Sequence, residues 1–299
     1  MNSLASLVKR NIIIFYRTKG NILFSLLSVL ILVALHFAIF RQMYTDIWEE
    51  SIAGIPGLYI ERLYFQWIVD SLMFSAIILL CAMSTSLITL GLMVSDRENN
   101  ALSDFLVAPI RRNRLLASYL VSSFIICFAM LACLVLFFHV YFIIIYGVGF
   151  TLIQATMILL ITIGTLIFAN VFMLLLLSSI KRQQSLSGIG AIIGTFTGFV
   201  SGAYIPIGMF GNTIGNILSA LPFVQLTMLS RNIFLYNVEN VTPLTHEMLS
   251  GELARMFGFE IWIGDWYLST GNVTLFVSGI TFVLLVWLMI RFSKMKKDE

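Results

Sequence analysis

Charge is what this chain has least of. Only 11% of its 299 residues are Asp, Glu, Lys or Arg, while 59% are hydrophobic; soluble globular domains carry roughly 25% charged residues. With a mean hydropathy of +0.97, a soluble fold is excluded. Cysteine is scarce too. Cys81, Cys127 and Cys133 lie inside apolar runs with neither a pairing pattern nor metal-ligand spacing, so they read as small buried hydrophobes. None of the six lysines follows a glycine and precedes Ser or Thr, so there is no GxxxxGK[ST] loop and no nucleotide site in this chain. An intramembrane enzyme would need paired aspartates, a Ser–His set or HExxH, and none occurs. A secondary transporter would show inverted repeats and midplane charges, and neither is present.

What the chain does have is long apolar runs. A spanning helix needs about 20 predominantly apolar residues. Residues 21–40 and 68–95 supply two such runs. The charge-free stretch 115–180 breaks near Tyr146-Gly147-Val148-Gly149 and supplies two more, at 115–139 and 152–180. Residues 186–206 make a fifth and 270–291 a sixth. Between these last two, Pro206, Gly208, Gly211, Gly215 and Pro222 crowd one short segment. Such breakers are tolerated at membrane depth only where protein or water covers the backbone. Residues 206–222 therefore read as a re-entrant outer hairpin, followed by an outer loop over 236–271 in which Trp262, Trp266 and Tyr267 suit interfacial anchors.

The expected fold is an all-α polytopic membrane protein of six transmembrane helices. It is preceded by an amphipathic interface helix over residues 1–20, in which Leu4, Leu7, Val8, Ile12 and Phe15 oppose Lys9, Arg10, Arg17 and Lys19. With both termini cytoplasmic, 14 of the 18 basic residues fall on the inner side. Counting the hairpin as a full crossing would move Arg291, Lys294, Lys296 and Lys297 outside, so six spans are favoured.

Residues 95–114, SDRENNALSDFLVAPIRRNR, form a short polar segment between two apolar runs. Acids and bases surround an amphipathic patch of Leu102, Phe105, Leu106 and Ile110, which suits docking into a groove on a cytoplasmic partner. Elsewhere, Asp70 at the outer start of the second span reads as a helix cap, and His36 and His139 lie near helix ends without implying a proton relay. Asn170, Gln154 and Thr197 read as helix-packing residues.

Two local patterns carry a resemblance. Arg97-Glu98, Asp104-Phe105-Leu106 and Pro109-Ile110-Arg111 follow one; Ser201-Gly202, Pro206, Leu221-Pro222 and Arg231 follow the other. In both respects the chain resembles the permease subunits of ABC-2-type (type V) transporters, with Asn100 where the family has glycine. The resemblance implies two permeases, a second copy or a paralogue, working with two copies of a cytoplasmic ABC ATPase that binds ATP and Mg. No cofactor is then held by this chain, and no nucleic-acid partner is expected. It also implies that Arg97, Glu98, Asp104, Phe105, Leu106, Pro109 and Arg111 couple to the ATPase. Phe196, Phe199, Gly202, Pro206 and Phe210 would form a gate near the dimer axis. The expected cargo is an amphipathic, drug-like, peptide or lipid-like molecule exported across a bacterial inner membrane; export of a lipid-linked glycan is the alternative.

Overall fold

The computed structural model describes residues 3–52, 60–99, 101, 112–245, 249, 251–264 and 266–294. The chain is helical nearly throughout, as a segment in lipid must be when water cannot satisfy its backbone. Helix α1, Ser3–Arg17, precedes α2, Lys19–Leu35. The latter continues through a π-helical turn, His36–Phe40, into α3, Arg41–Ile52. Helix α4, Arg62–Glu98, is unbroken for 37 residues. Helices α5, Arg112–Tyr146, and α6, Leu152–Leu177, meet at a turn where Gly147 takes φ 72°. Beyond α7, Gln183–Val200, come a 3-10 turn, Ile207–Phe210, and the short helix α8, Gly211–Ser219. Helix α9, Pro222–Phe234, starts with its proline in the first turn, where the missing N–H costs nothing. Two short helices follow, α10, Val238–Val241, and α11, Glu252–Phe257. An antiparallel hairpin, β1 Ile261–Ile263 and β2 Trp266–Leu268, then leads into α12, Thr270–Lys294.

Among the described residues, five helical stretches are long and apolar enough to cross a membrane: Lys19–Ser51, Arg62–Glu98, Arg114–Tyr146, Leu152–Leu177 and Thr270–Arg291. The run expected as the fifth span corresponds to α7. It is 18 residues long, about 27 Å at 1.5 Å per residue, and Gln183, Gln184, Ser185 and Ser187 make it less apolar than the other five. It ends at Val200 rather than 206 because Gly202 turns the chain with φ 67°. Thr213–Ser219 and Pro222–Val241 are bent against each other by 80° and count as one more crossing only if taken together.

Helix α4 is the centre of the bundle. It packs against α2, α3, α5, α6, α7 and α9. Of its most apolar stretch 83% is buried, against 17–28% for the first, third and last of the five stretches, whose remaining apolar surface faces outward. At one end, Phe74 and Phe138 stack with ring centroids 4.0 Å apart, and Phe142 meets Phe74 edge-on.

Three sequence readings change. Asp70 is not a helix cap, because α4 begins at Arg62, eight residues earlier, and the carboxylate is fully buried. Cys133 lies exposed on α5, whereas Cys81 and Cys127 are buried as expected. The buried residues of α1 include Leu7, Asn11 and Phe15, one stripe at four-residue spacing, and the helix packs on α5 rather than simply lying on lipid.

The helix-packing reading of Gln154 agrees with the structure. Its Nε2 donates to the Ile233 and Phe234 carbonyls at 3.1 and 3.0 Å, and its Oε1 accepts from Asn237 Nδ2 at 2.9 Å, tying α6 to the end of α9.

Candidate functional site

In a chain with so few charges, the places where charges gather are informative. Three consecutive residues at the end of α4, Asp96, Arg97 and Glu98, reach four other elements. Asp96 is nearly buried and accepts a bidentate pair from Arg10 of α1, at 2.7 and 2.8 Å, together with the Tyr119 hydroxyl of α5 at 2.5 Å. Donating to Asp96 raises the pKa of the Arg10 guanidinium above its ordinary value despite partial desolvation. Next to Arg10, Asn11 Nδ2 donates to Ser122 Oγ of α5 at 3.2 Å. Helix α1 is therefore fastened to the bundle by polar contacts at one level.

Arg97 and Glu98 serve the turn between α6 and α7. Arg97 Nη1 donates to the Ser178 and Ile180 carbonyls at 3.1 and 2.7 Å, just past the C-terminus of α6. Glu98 Oε2 accepts from the Gln183 backbone N–H at 2.8 Å, the first residue of α7. The last carbonyls and first N–H groups of a helix lack partners within it and carry partial negative and positive charge respectively. Adjacent residues of opposite sign thus meet helix ends of opposite polarity.

The other end of α7 is handled the same way. Arg231 of α9 is 2% exposed, and no acidic side chain lies within ion-pair distance of it among the described residues. Its Nη2 donates to the Ser201 and Gly202 carbonyls at 2.7 and 3.3 Å, at the C-terminus of α7. Its Nη1 donates to the Phe257 and Gly258 carbonyls at 2.6 and 3.4 Å, at the C-terminus of α11. Gly202 and Gly258 both have left-handed φ, at 67° and 70°. A Cβ on either would come within 2.9 or 2.6 Å of the guanidinium. Both positions are thus glycine for backbone conformation and for space at once.

Of the expected coupling residues, the structure places Arg97 and Glu98 in this clasp, where they hold the chain's own α6–α7 turn. Asp104, Phe105, Leu106, Pro109 and Arg111 lie outside the described residues. Among the expected gate residues, Phe196 and Phe199 are on α7, 41% and 39% exposed. They do not meet each other: Phe196 contacts Phe223 edge-on and Phe199 contacts Tyr204. Gly202 is the Arg231 turn, Pro206 precedes the 3-10 turn, and Phe210, half-buried, ends it. Sequence reasoning missed Arg10, Asp96 and Tyr119. The available signal was Asp96 itself, a carboxylate beside an apolar run, which must find a partner or stay in water.

A cleft of about 380 Å³ also opens between the 3-10 turn, α8, α11 and β1, lined in part by Asn216, Arg255, Glu260 and Trp262. The Arg255 guanidinium lies over the Trp262 ring at 4.3 Å, and Trp262 Nε1 donates to Glu260 at 3.3 Å.

Residues 62–291 match the family described as ABC-2 family transporter protein. The chain belongs to the ABC-2 transporter family. The matched region starts with α4 and ends in α12, so it takes in both the Asp96–Glu98 clasp and the Arg231 node of the permease. No curated protein and no solved structure matches the chain. ABC-2 permeases are multi-pass membrane components of transporters, which agrees with the five apolar helices.

Two substitutions test the permease's helix-end chemistry. In a cysteine-free background, cysteines at positions 11 and 122 should form a disulfide, and Asp96→Asn should sharply lower its yield by releasing α1. An unchanged yield would mean that the Arg10–Asp96 pair does not hold α1. Arg231→Met should destabilise the detergent-solubilised protein by about 3 kcal/mol or more, because it leaves buried helix-end carbonyls without donors. A thermal unfolding midpoint equal to the wild type's would refute that account.

Proposed function

We propose that this chain is the membrane permease of an ATP-driven exporter, worked by a cytoplasmic ABC ATPase that docks on the segment following Glu98. The clasp is the observation that carries the reading. The segment leaves α4 at the point where α4 is tied to α1, α5 and the α6–α7 turn. A force applied to it is delivered to several helices at once, as a coupling element requires. Phe105, Leu106, Pro109 and Arg111 supply the apolar and basic surface of the docking element, and Asp104 its acidic contact.

In this reading α7 is the fifth of six spans, residues 206–222 face the exterior, and both termini are cytoplasmic in a bacterial inner membrane. ATP and Mg are bound by two copies of the partner ATPase. A second permease, identical or paralogous, covers the outward stripe of α7, where Ile192 is 68% exposed beside Phe196 and Phe199. Gly188, one turn before Ile192 on the same face, would admit close helix approach, since a Cβ there meets nothing within 4 Å. Phe196, Phe199 and Phe210 then form an apolar gate around Gly202 and Pro206. The nearly charge-free spans favour an amphipathic or lipid-like cargo over an ion, which would need a polar lining.

Phe105→Ala is the direct test, because the residue lies outside every span and its loss should leave insertion intact. Truncating an interface anchor costs about 2 kcal/mol, roughly thirtyfold in affinity. ATP hydrolysis by the reconstituted complex should therefore lose its stimulation by the permease. Full stimulation with Phe105→Ala would remove the docking proposal.

A further inference from the structure

The end of α4 opposite the clasp carries a second buried carboxylate. Asp70 lies 26 residues before Asp96 on one unbroken helix, about 39 Å away at 1.5 Å per residue, close to the 40–45 Å of a bilayer with its headgroup regions. Every acceptor position of this carboxylate is taken. Oδ1 receives His36 Nε2 at 2.7 Å and Arg41 Nε at 3.2 Å; Oδ2 receives the Tyr141 hydroxyl at 2.6 Å and that of Tyr146. Arg41 Nη2 also donates to Tyr146 at 2.9 Å. The cluster joins the α2–α3 span, α4 and α5 at one level. A carboxylate with all its lone pairs engaged is a poor proton carrier and a strong fastener.

Three features mark the fastener as one that releases. The donors from the α2–α3 span flank and include a π-helical turn, His36–Phe40, where the regular helical ladder is interrupted. Such turns are frequent at functional sites. That span is also held lightly, with only 22% of its apolar stretch buried. Finally, His36 is fully buried and its Nδ1 has no hydrogen-bond partner among the described residues. Nε2 faces the carboxylate, and Nδ1 is a buried polar atom that opening to water would satisfy. Directly below, the stacked rings of Phe74 and Phe138 close the space between α4 and α5.

We infer that the His36–Asp70–Arg41–Tyr141–Tyr146 cluster is a releasable latch at the exit side. The α2–α3 span parts from α4 and α5 about the π-helical turn when displacement of α4 opens the exterior. This inference rests on the proposed orientation and ATPase coupling. It adds that the long central helix links the docking segment to a second switch point on the opposite membrane face.

The reporter is a cysteine at Ile77, buried on the Asp70 face of α4 two turns deeper, with Cys81, Cys127 and Cys133 replaced by serine. A membrane-impermeant maleimide is added outside. The resting complex should be protected. Labelling should rise about tenfold or more, as expected for a local opening, in two cases. One is Asp70→Asn without any ATPase. The other is the intact permease with its ATPase trapped in the ATP-bound state by glutamine in place of the catalytic glutamate. Should Asp70→Asn fail to reach the membrane, Tyr146→Phe takes its place, with a smaller rise expected. Protection in the ATP-trapped complex despite labelling of the variants would make the cluster a static brace. Protection in the variants would show that it holds nothing shut. A permease that retains no ATPase would count against the proposed function, while the variant arm would still report on the latch.

Discussion

The ends of helices are the constraint on which this structure depends. A chain made mostly of membrane-length helices satisfies its backbone internally except at the termini, where N–H and carbonyl groups have no partner. Here three of the few charged residues, Arg97, Glu98 and Arg231, sit on those ends. Glu98 meets the N-terminus of α7 and Arg231 its C-terminus, while Arg97 meets the C-terminus of α6. Each charge has the sign that the helix dipole favours. Arg231 needs no carboxylate because four carbonyls at two helix ends surround it. A buried cation without a counter-ion is otherwise costly.

Helix α4 converts these local solutions into an architecture. Its middle is enclosed and contacts its neighbours by packing and by a few hydroxyl contacts, Ser84 to the Ser25 carbonyl and Thr89 to Ser123, while its charged groups work near its two ends. Asp96 and its two successors gather α1, α5 and the α6–α7 turn; Asp70 gathers the α2–α3 span and α5. An unbroken helix fixed at both ends by directional bonds moves as a unit. In the proposed coupling, a change imposed beyond Glu98 would reach Asp70 without a separate relay of contacts. Membership in the ABC-2 family gives such a strut a purpose, since a permease must link events on its two faces.

Much of this was legible in the sequence, for physical reasons. Apolar runs of sufficient length have few alternatives to spanning helices, and the turn at Gly147 and the broken segment after Val200 follow from glycine and proline placement. The two local patterns were visible as well, but what their residues do was not. Arg97 acts on carbonyls 81 and 83 positions away, and Arg231 on one pair 29 and 30 residues before it. Only the three-dimensional meeting of helix ends reveals that both patterns converge on α7. The cap reading of Asp70 fails for a related reason: the helix begins before the apolar run, since Arg62, Tyr64 and Gln66 interrupt apolarity without interrupting the helix. In a chain so poor in charge, Asp70, His36 and Arg41 are natural partners for one another.

The most direct measurement is photocrosslinking from position 105 in native membranes, with p-benzoylphenylalanine in place of Phe105. Coupling through the segment after Glu98 predicts one dominant adduct, to a subunit carrying a GxxxxGK[ST] nucleotide loop, that changes in yield between the nucleotide-free and ATP-bound states. Adducts to lipid or to the permease alone, unchanged by nucleotide, would contradict it.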